Sequence, residues 1–514
     1  MTRRRGLLAA GLTLGAVLAA CSPTAENGAT VSQPTLVPAP TNVEFGPSAA
    51  PFVLPGENRD EAIEAALDAV DERLVEDAAL GAEGYRLSVT AGGARSEATT
   101  EAGLFYARQS LIQLVARVGE GWAVPAASIV DVPRFAYRGI MLDVARHFFP
   151  VETIMACIDR AASLKLNALH LHLSDDQGWR IHIDSWPSLT AAASGTSAGG
   201  DTGGFYTKHD YRDIVAYAAS RHMIVVPEID VPSHSHAVSV AYPELSEPLV
   251  VSDGIRAQSA ALGQDLPVFG EPYEGWAVGF SALKTRDERT YGFLTDVFGE
   301  LAELTPGPYL HFGGDEALGI AQTDFDAFVA RTAQIIIDTG KTPVAWHEAG
   351  SAGDLPRGTV GQYWGFTTPR DDHDVHARGF VERGGGLILS PADAVYLDMK
   401  YDDGTPLGLA WANGPTSVER SYAWDPVTVI PGVDETAILG VEAPLWTETI
   451  ASLEEIDTMA FPRLASAAEI AWSPASGPHR TWDSFRARVA GLGPLWTGQG
   501  IAFFASPEIP WARE

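Results

Sequence analysis

From residue 134 onward, short apolar runs alternate with amphipathic stretches, a pattern that predicts a β-strand followed by a helix many times over. The runs fall at 139–143, 167–173, 223–228, 309–313, 343–347, 360–364, 386–390 and 437–442. Eight strands interleaved with helices over residues 134–480 predict an α/β fold, a (β/α)8 TIM barrel, in preference to an open doubly wound sheet. Ahead of the barrel, residues 41–132 carry a helical stretch at 59–80, an alternating strand at 85–90 and a second amphipathic helix at 103–118, which together make a small α+β domain. That domain shows no dense cluster of reactive side chains and reads as scaffold. The barrel domain, with a C-terminal helical segment, is expected over 133–514.

The N-terminus follows another pattern. Arg3, Arg4 and Arg5 precede an apolar run over 6–20, too short to span a bilayer comfortably, and Cys21 follows it. This is the layout of an export signal over 1–20, and Leu18-Ala19-Ala20-Cys21 resembles a bacterial lipobox in which Cys21 becomes the lipidated first residue. Residues 21–40, rich in Ser, Thr, Pro, Ala and Gly, read as a flexible tether. The expected location is outside the cell, on the outer face of the membrane through the lipid on Cys21. The second of the two cysteines, Cys157, lies on the apolar face of a predicted helix and is expected to be a buried structural thiol.

Composition narrows the partners. The 514-residue chain has 35 Lys plus Arg against 66 Asp plus Glu, a formal charge of −31, and is 46% hydrophobic. It can bury a large core, and with no basic stripe beyond the first residues a nucleic acid partner is excluded.

A barrel concentrates chemistry where its strands end. Here the runs lead into Asp143 with Arg146 and His147; His170, His172, Asp175 and Asp176; Glu228, Asp230 and His234; His311, Asp315 and Glu316; Trp346, His347 and Glu348; Tyr363 and Trp364; and Glu442 with Trp446 and Glu448. No glycine-rich phosphate loop and no nucleophilic Ser or Cys motif accompanies them. Carboxylates with several indoles are the equipment of sugar chemistry: indoles stack on the C–H faces of pyranose rings, and a carboxyl group must protonate the glycosidic oxygen. A surface Asp-Glu pair is ordinarily a solvated charge pair. Asp315-Glu316 instead follows an apolar strand and two glycines that let the chain turn into a cleft, where two adjacent acids cannot both ionise cheaply.

The segments His311-Phe312-Gly313-Gly314-Asp315-Glu316 and Leu173-Ser174-Asp175-Asp176-Gln177-Gly178-Trp179-Arg180 resemble signatures of glycoside hydrolase family 20, the β-N-acetylhexosaminidases. So do Arg138-Gly139 with Leu142-Asp143 and Arg146-His147-Phe148, Pro227-Glu228-Ile229-Asp230, Tyr396-Leu397-Asp398 and Leu445-Trp446-Thr447-Glu448. The likeness runs over residues 41–500. It implies a retaining exo-enzyme that releases terminal β-linked GlcNAc or GalNAc from glycans or chitooligosaccharides, with the substrate's own 2-acetamido oxygen as nucleophile and an oxazolinium intermediate.

The resemblance also implies roles. Glu316 would be the acid and then the base, Asp315 would orient the acetamide N–H, and Tyr396 would donate to the acetamide oxygen. His234 with either Asp175 or Asp176 would form a relay behind the acid. Arg138, Asp398 and Glu448 would hold ring hydroxyls, and Trp346, Trp364 and Trp446, with Trp411 as a fourth wall, would line the acetamide pocket. The family usually has Gly before this histidine where the chain has Ser233, so a backbone needing positive φ would be strained there. His236 is expected to face solvent, and Trp472, Trp482 and Trp496, which follow no barrel strand, to be core.

Other readings compete. His170 and His172 alternate on one strand face, but Asp175 and Asp176 lie past the strand end and no third ligand pattern accompanies them, so no metal and no cofactor is expected and both are read as packing and hydrogen bonding inside the barrel. A relative that releases a disaccharide such as lacto-N-biose would need a deeper pocket, which depends on the loop at 244–289. A sugar-capturing lipoprotein without catalysis would show two similar lobes and no buried acid pair.

Overall fold

A computed structural model describes residues 35–46 and 49–511. Eight strands form a closed barrel: β1 (Tyr137–Asp143), β2 (Ala168–His172), β3 (Ile224–Glu228), β4 (Tyr309–His311), β5 (Thr342–Trp346), β6 (Val360–Tyr363), β7 (Leu387–Leu389) and β8 (Ile438–Leu445). Each pairs in parallel with its sequence neighbour, and β8 closes on β1 with Glu442 opposite Gly139. All eight expected strands are present. Alternate residues of a strand share a face, so β2 sends both His170 and His172 inward. The barrel is filled at its base by Tyr137, Ala168, Val226, Val344, Val360 and Ile388, an apolar layer above which the interior turns polar. The outer helices, such as Val151–Ser163 with Ile154, Cys157, Ile158 and Ala161 inward, bury their apolar stripes on the barrel. Cys157 is buried and its thiol is pushed up to about 12 by desolvation, the state of a structural thiol.

The N-terminal domain is a five-stranded sheet in the order Asn42–Phe45, Ala127–Asp131, Tyr85–Thr90, Gly93–Ala98, Asp71–Leu74, with helices Arg59–Asp68 and Glu101–Leu114. The helix expected over 59–80 stops at Asp68. Residues 71–74 add a parallel edge strand to 93–98, held by Asp71 to Arg95 and Glu72 to Arg108, so tertiary pairing overrides the local pattern. The second helix begins at a Thr100 cap and ends at Leu114, because Ala116–Val118 pairs with Gly121–Val124.

Three further expectations are corrected. The tether does not reach residue 40: Leu36, Val37 and Ala39 are buried, the Val37 and Ala39 N–H groups donate to Gln113 and Glu469, and Arg488 donates to the Leu36 carbonyl. His236 is fully buried, its ring packing near Phe280 and its Nε2–H donating to the Glu271 carbonyl. Trp482 is only partly buried, whereas Trp472 and Trp496 are core. No helix among the described residues is long and apolar enough to cross a membrane. Cys21 and the 1–20 segment lie outside the described residues.

Candidate active site

The polar residues gather at the C-terminal ends of the strands. After β4 the backbone takes positive φ at Gly313 (69°), Gly314 (95°) and Glu316 (46°), turning the Asp315-Glu316 pair into the cleft. Gly313 is required twice over, because a Cβ there would lie 1.7 Å from Asp230 Oδ1. Glu316 in this conformation is a non-glycine residue in a sparsely populated region, of the kind that clusters at functional sites. The other positive-φ residue of the site is His234 (51°), one position beyond Ser233. Ser233 therefore carries no such strain; it is buried and its hydroxyl donates to the Asp315 carbonyl.

His234 stands between the two carboxylates. Its Nδ1 is 3.3 Å from Asp175 Oδ1, and its Nε2 is 3.2 Å from Glu316 Oε2 and 3.5 Å from Asp315 Oδ2. Burial alone would push this ring down, but Asp175, Asp315 and Asp230 outweigh it and hold it well above the usual imidazole range. Of the two adjacent acids, Asp175 is the one that faces His234. Burial would raise its carboxyl, yet Arg146, 2.8 Å from Oδ2, and His234 hold it far below the usual carboxylate range. Asp176 points elsewhere: it accepts from the Ser281 hydroxyl and the His236 N–H, while the neighbouring Gln177 donates to the Gly275 carbonyl. These bonds pin the 244–289 loop to the barrel rim.

Asp315 titrates high. Desolvation outweighs the lowering effect of His234 and, together with the Glu316 charge, pushes its carboxyl up to about 6. The indoles converge as expected. Trp346 and Trp446 lie 6.1 Å apart between ring centroids, Trp364 and Trp411 6.0 Å, and Tyr396 lies 5.8 Å from Trp411 and 6.3 Å from Trp446. The Trp364 Nε1–H donates to both oxygens of Glu348 at 3.0 Å, and Trp411 is 48% exposed at the rim. Burial raises both Asp398 and Glu448, and the Glu448 charge adds to the rise at Asp398.

Arg138 is not part of this cleft. It sits at the opening of β1, at the opposite end of the barrel, fully buried. Its donors are taken by Glu83 (2.8 and 2.9 Å) and by the Lys165 and Phe135 carbonyls, and its guanidinium lies 4.8 Å from the Trp472 ring. It ties the N-terminal domain to the barrel. The arginine in the cleft is Arg146, just past the end of β1, beside Asp143 and Asp175 and 4.9 Å from the Trp446 ring, with Glu448 within electrostatic reach. Sequence reasoning placed Glu348 and Asp230 at strand ends but gave neither a role. Asp230 is 1% exposed, has no hydrogen-bond partner at either oxygen, and is raised by burial and then by Asp315.

As for metals, the structure brings Glu228 and His311 to His170, the third partner that strand spacing does not show, and it also groups Asp175, Asp176 and His234, with ligand atoms within 4.8 Å in each set. His170 and His234 in these sets already face carboxylates at ion-pair distance through both ring nitrogens.

Comparisons with known proteins agree with this geometry. A family model described as the catalytic domain of glycosyl hydrolase family 20 matches residues 135–475, and one for domain 2 of that family matches residues 53–132. The chain is 43% identical over 446 residues to a β-N-acetylhexosaminidase of Cellulomonas fimi, covering 85% of this chain and 84% of that protein. A solved glycoside hydrolase family 20 β-N-acetylglucosaminidase superposes with a TM-score of 0.87 at 59% identity, covering 93% of this chain and all of that one. The Streptomyces plicatus N-acetyl-β-hexosaminidase, solved in complex with Thio-NAglucal, superposes with a TM-score of 0.82 at 43% identity, covering 93% and 97%.

Proposed function

Because this chain belongs to glycosyl hydrolase family 20 and is a β-N-acetylhexosaminidase, we propose that Glu316, Asp315 and Tyr396 carry out substrate-assisted removal of terminal β-linked N-acetylhexosamine. The observation that carries this reading is a set of buried acceptors that no well-formed protein hydrogen bond satisfies: Asp315 Oδ1, both oxygens of Asp398 and Glu448 Oε2, inside a cleft walled by indoles. A buried polar atom left unpaired costs about 1–3 kcal/mol. A pyranose that brings hydroxyl and amide donors to those oxygens and apolar C–H faces to the indoles satisfies both at once.

In this reading Glu316 protonates the glycosidic oxygen while the acetamide oxygen attacks C1. The Glu316 carboxylate then takes a proton from the water that opens the ring intermediate. Asp315 accepts the acetamide N–H, Tyr396 donates to the acetamide oxygen, and Arg146, Asp398 and Glu448 hold ring hydroxyls in the place assigned by sequence to Arg138.

The test is hydrolysis of paired chromogenic β-GlcNAc, β-GalNAc and β-lacto-N-biose glycosides by the protein from residue 22 onward. The two monosaccharide glycosides are expected to be cleaved and the disaccharide glycoside left intact. Preferred release of lacto-N-biose would make the enzyme a disaccharide-releasing member instead.

We also propose that the enzyme is exported and held on the outer membrane face by lipid on Cys21. Support comes from the Leu18-Ala19-Ala20-Cys21 motif, which follows three arginines and a short apolar run. Cys21→Ser is expected to move the protein from the membrane fraction to the soluble exported fraction with specific activity retained. Membrane association that survives the substitution would remove the lipid anchor.

A further inference from the structure

The cluster behind the acid does not stop at Asp175. Below His234 and Asp175, acidic groups and histidines alternate down the barrel axis. His172 Nε2 is 2.8 Å from Asp175 Oδ2, and its Nδ1 is 2.5 Å from Glu228 Oε2. The same Glu228 oxygen is 3.1 Å from His170 Nε2, and His170 Nδ1 is 2.9 Å from Glu442 Oε1. Tyr137, at the base of the barrel, donates its hydroxyl to the other Glu442 oxygen. From Glu442 to Glu316 the order is thus acid, histidine, acid, histidine, acid, histidine, acid, and every member below Glu316 is buried.

Local sequence makes room for this column: a Cβ at residue 139 would lie 2.6 Å from Glu442 Oε2, so only glycine fits on β1 beside it. The column's protonation follows from hydrogen-bond chemistry. An ionised carboxylate only accepts, so a ring that bonds carboxylates through both nitrogens must carry both protons. His172 meets that condition strictly. His170 meets it in distance, with Nε2 aimed off the Glu228 line.

We infer that the relay behind the acid continues from Asp175 through His172 and Glu228 to His170 and Glu442, and that His172 is a positioning residue whose positive charge fixes Asp175 and thereby governs proton retention by the His234–Glu316 pair. The inference rests on the reading of Glu316 as the acid and deepens it. His172 has no path to substrate: it is fully buried beneath Trp446, with ring centroids 4.9 Å apart. The charged groups facing it are Glu228 from β3, Asp175 beyond β2, and Arg146 beyond β1 with Asp143 at that strand's end, and Asp230 beyond β3 completes a set with His172 and Asp175. Around His234 the corresponding groups are Asp175, Asp176, Asp230, Asp315 and Glu316. The directions of titration agree with the geometry. Burial opposes charge on every member, yet the neighbouring carboxylates hold His170 at about 9 and His172 well above the usual range, while the surrounding histidines hold Glu228 well below its own.

Two variants and one measurement on the unaltered enzyme test this. His172→Gln removes a positive charge two links from the acid, so the pair should keep its proton to higher pH. The basic limb of kcat/KM for an N-acetylglucosaminide should move up by about one pH unit, with kcat/KM at its maximum lowered by about tenfold. Glu228→Gln removes a negative charge from the same column, and its limb should move the opposite way. In uniformly 15N-histidine-labelled wild-type enzyme, at least two of the thirteen rings should remain imidazolium at pH 8, well above the ordinary imidazole range. That last measurement stands even where a variant fails to fold. Loss of activity or melting temperature in both variants with an unmoved limb would reduce His172 and Glu228 to packing, and thirteen neutral rings at pH 8 would overturn the column outright. Because the Glu316 assignment is read separately, from its dependence on leaving group, an unmoved limb with that dependence intact removes only the extended relay.

Discussion

Glu316→Gln is expected to slow cleavage of substrates with poor leaving groups by about 10² to 10⁴-fold, the ordinary worth of a general acid, while activated aryl glycosides lose far less in the glycosylation step. An alkyl or sugar leaving group departs as an alkoxide unless it is protonated, whereas a nitrophenolate leaves with little help. The variant keeps the side-chain volume and the positive-φ turn at residue 316, so the backbone that aims Asp315 is undisturbed. The measurement is a plot of log kcat/KM against leaving-group acidity for both proteins. A steeper slope for the variant supports the acid; equal losses across the series would place the acid on another residue.

Replacing the substrate's 2-acetamido group with a hydroxyl is expected to remove nearly all turnover, because the nucleophile leaves with it. A thiazoline mimic of the bicyclic intermediate should bind far more tightly than N-acetylglucosamine, as expected of a molecule that resembles the reaction's high-energy state. Asp315→Asn should weaken both effects together, since the amide no longer presents a charged acceptor to the acetamide N–H or balances the positive charge that develops there. The two side chains are nearly isosteric, so packing does not account for the loss. pH gives a second readout. Desolvation pushes the Asp315 carboxyl up to about 6, so the ionised acceptor is lost as pH falls through that region, and the wild-type acid limb of kcat/KM should lie near pH 6. The Asn variant should lack that limb. A 2-hydroxy glycoside cleaved at a comparable rate through a trappable glycosyl ester would instead make a protein carboxylate the nucleophile.

Which features the chain states by itself follows from how local each one is. The eight barrel strands, the turn of Gly313-Gly314 and the acid pair after it are written in runs of a few residues, because strand burial and positive φ are requirements on neighbouring positions. The signal that separates Arg146 from Arg138 is local too. A barrel's chemistry gathers after a strand, and Arg138 opens β1, about 16 Å of strand rise from Asp143 at its far end.

The remaining features depend on residues far apart in the chain. Asp175 and Asp176 are adjacent and chemically alike. His234, some sixty residues on, faces the first, and Ser281, over a hundred residues on, donates to the second and makes it a loop anchor. Residues 36–39 look like linker by composition, yet hydrogen bonds to Gln113, Glu469 and Arg488 bury them. The stretch at 71–74 follows a helix but is captured by an open sheet edge. His170 and His172 read as a strand's alternation, and only barrel closure, which sets β1, β3 and β8 around β2, supplies the carboxylates of Glu228 and Glu442. Periodicity records which face a residue is on. Which charge meets it there is decided when distant strands are brought to within hydrogen-bonding distance.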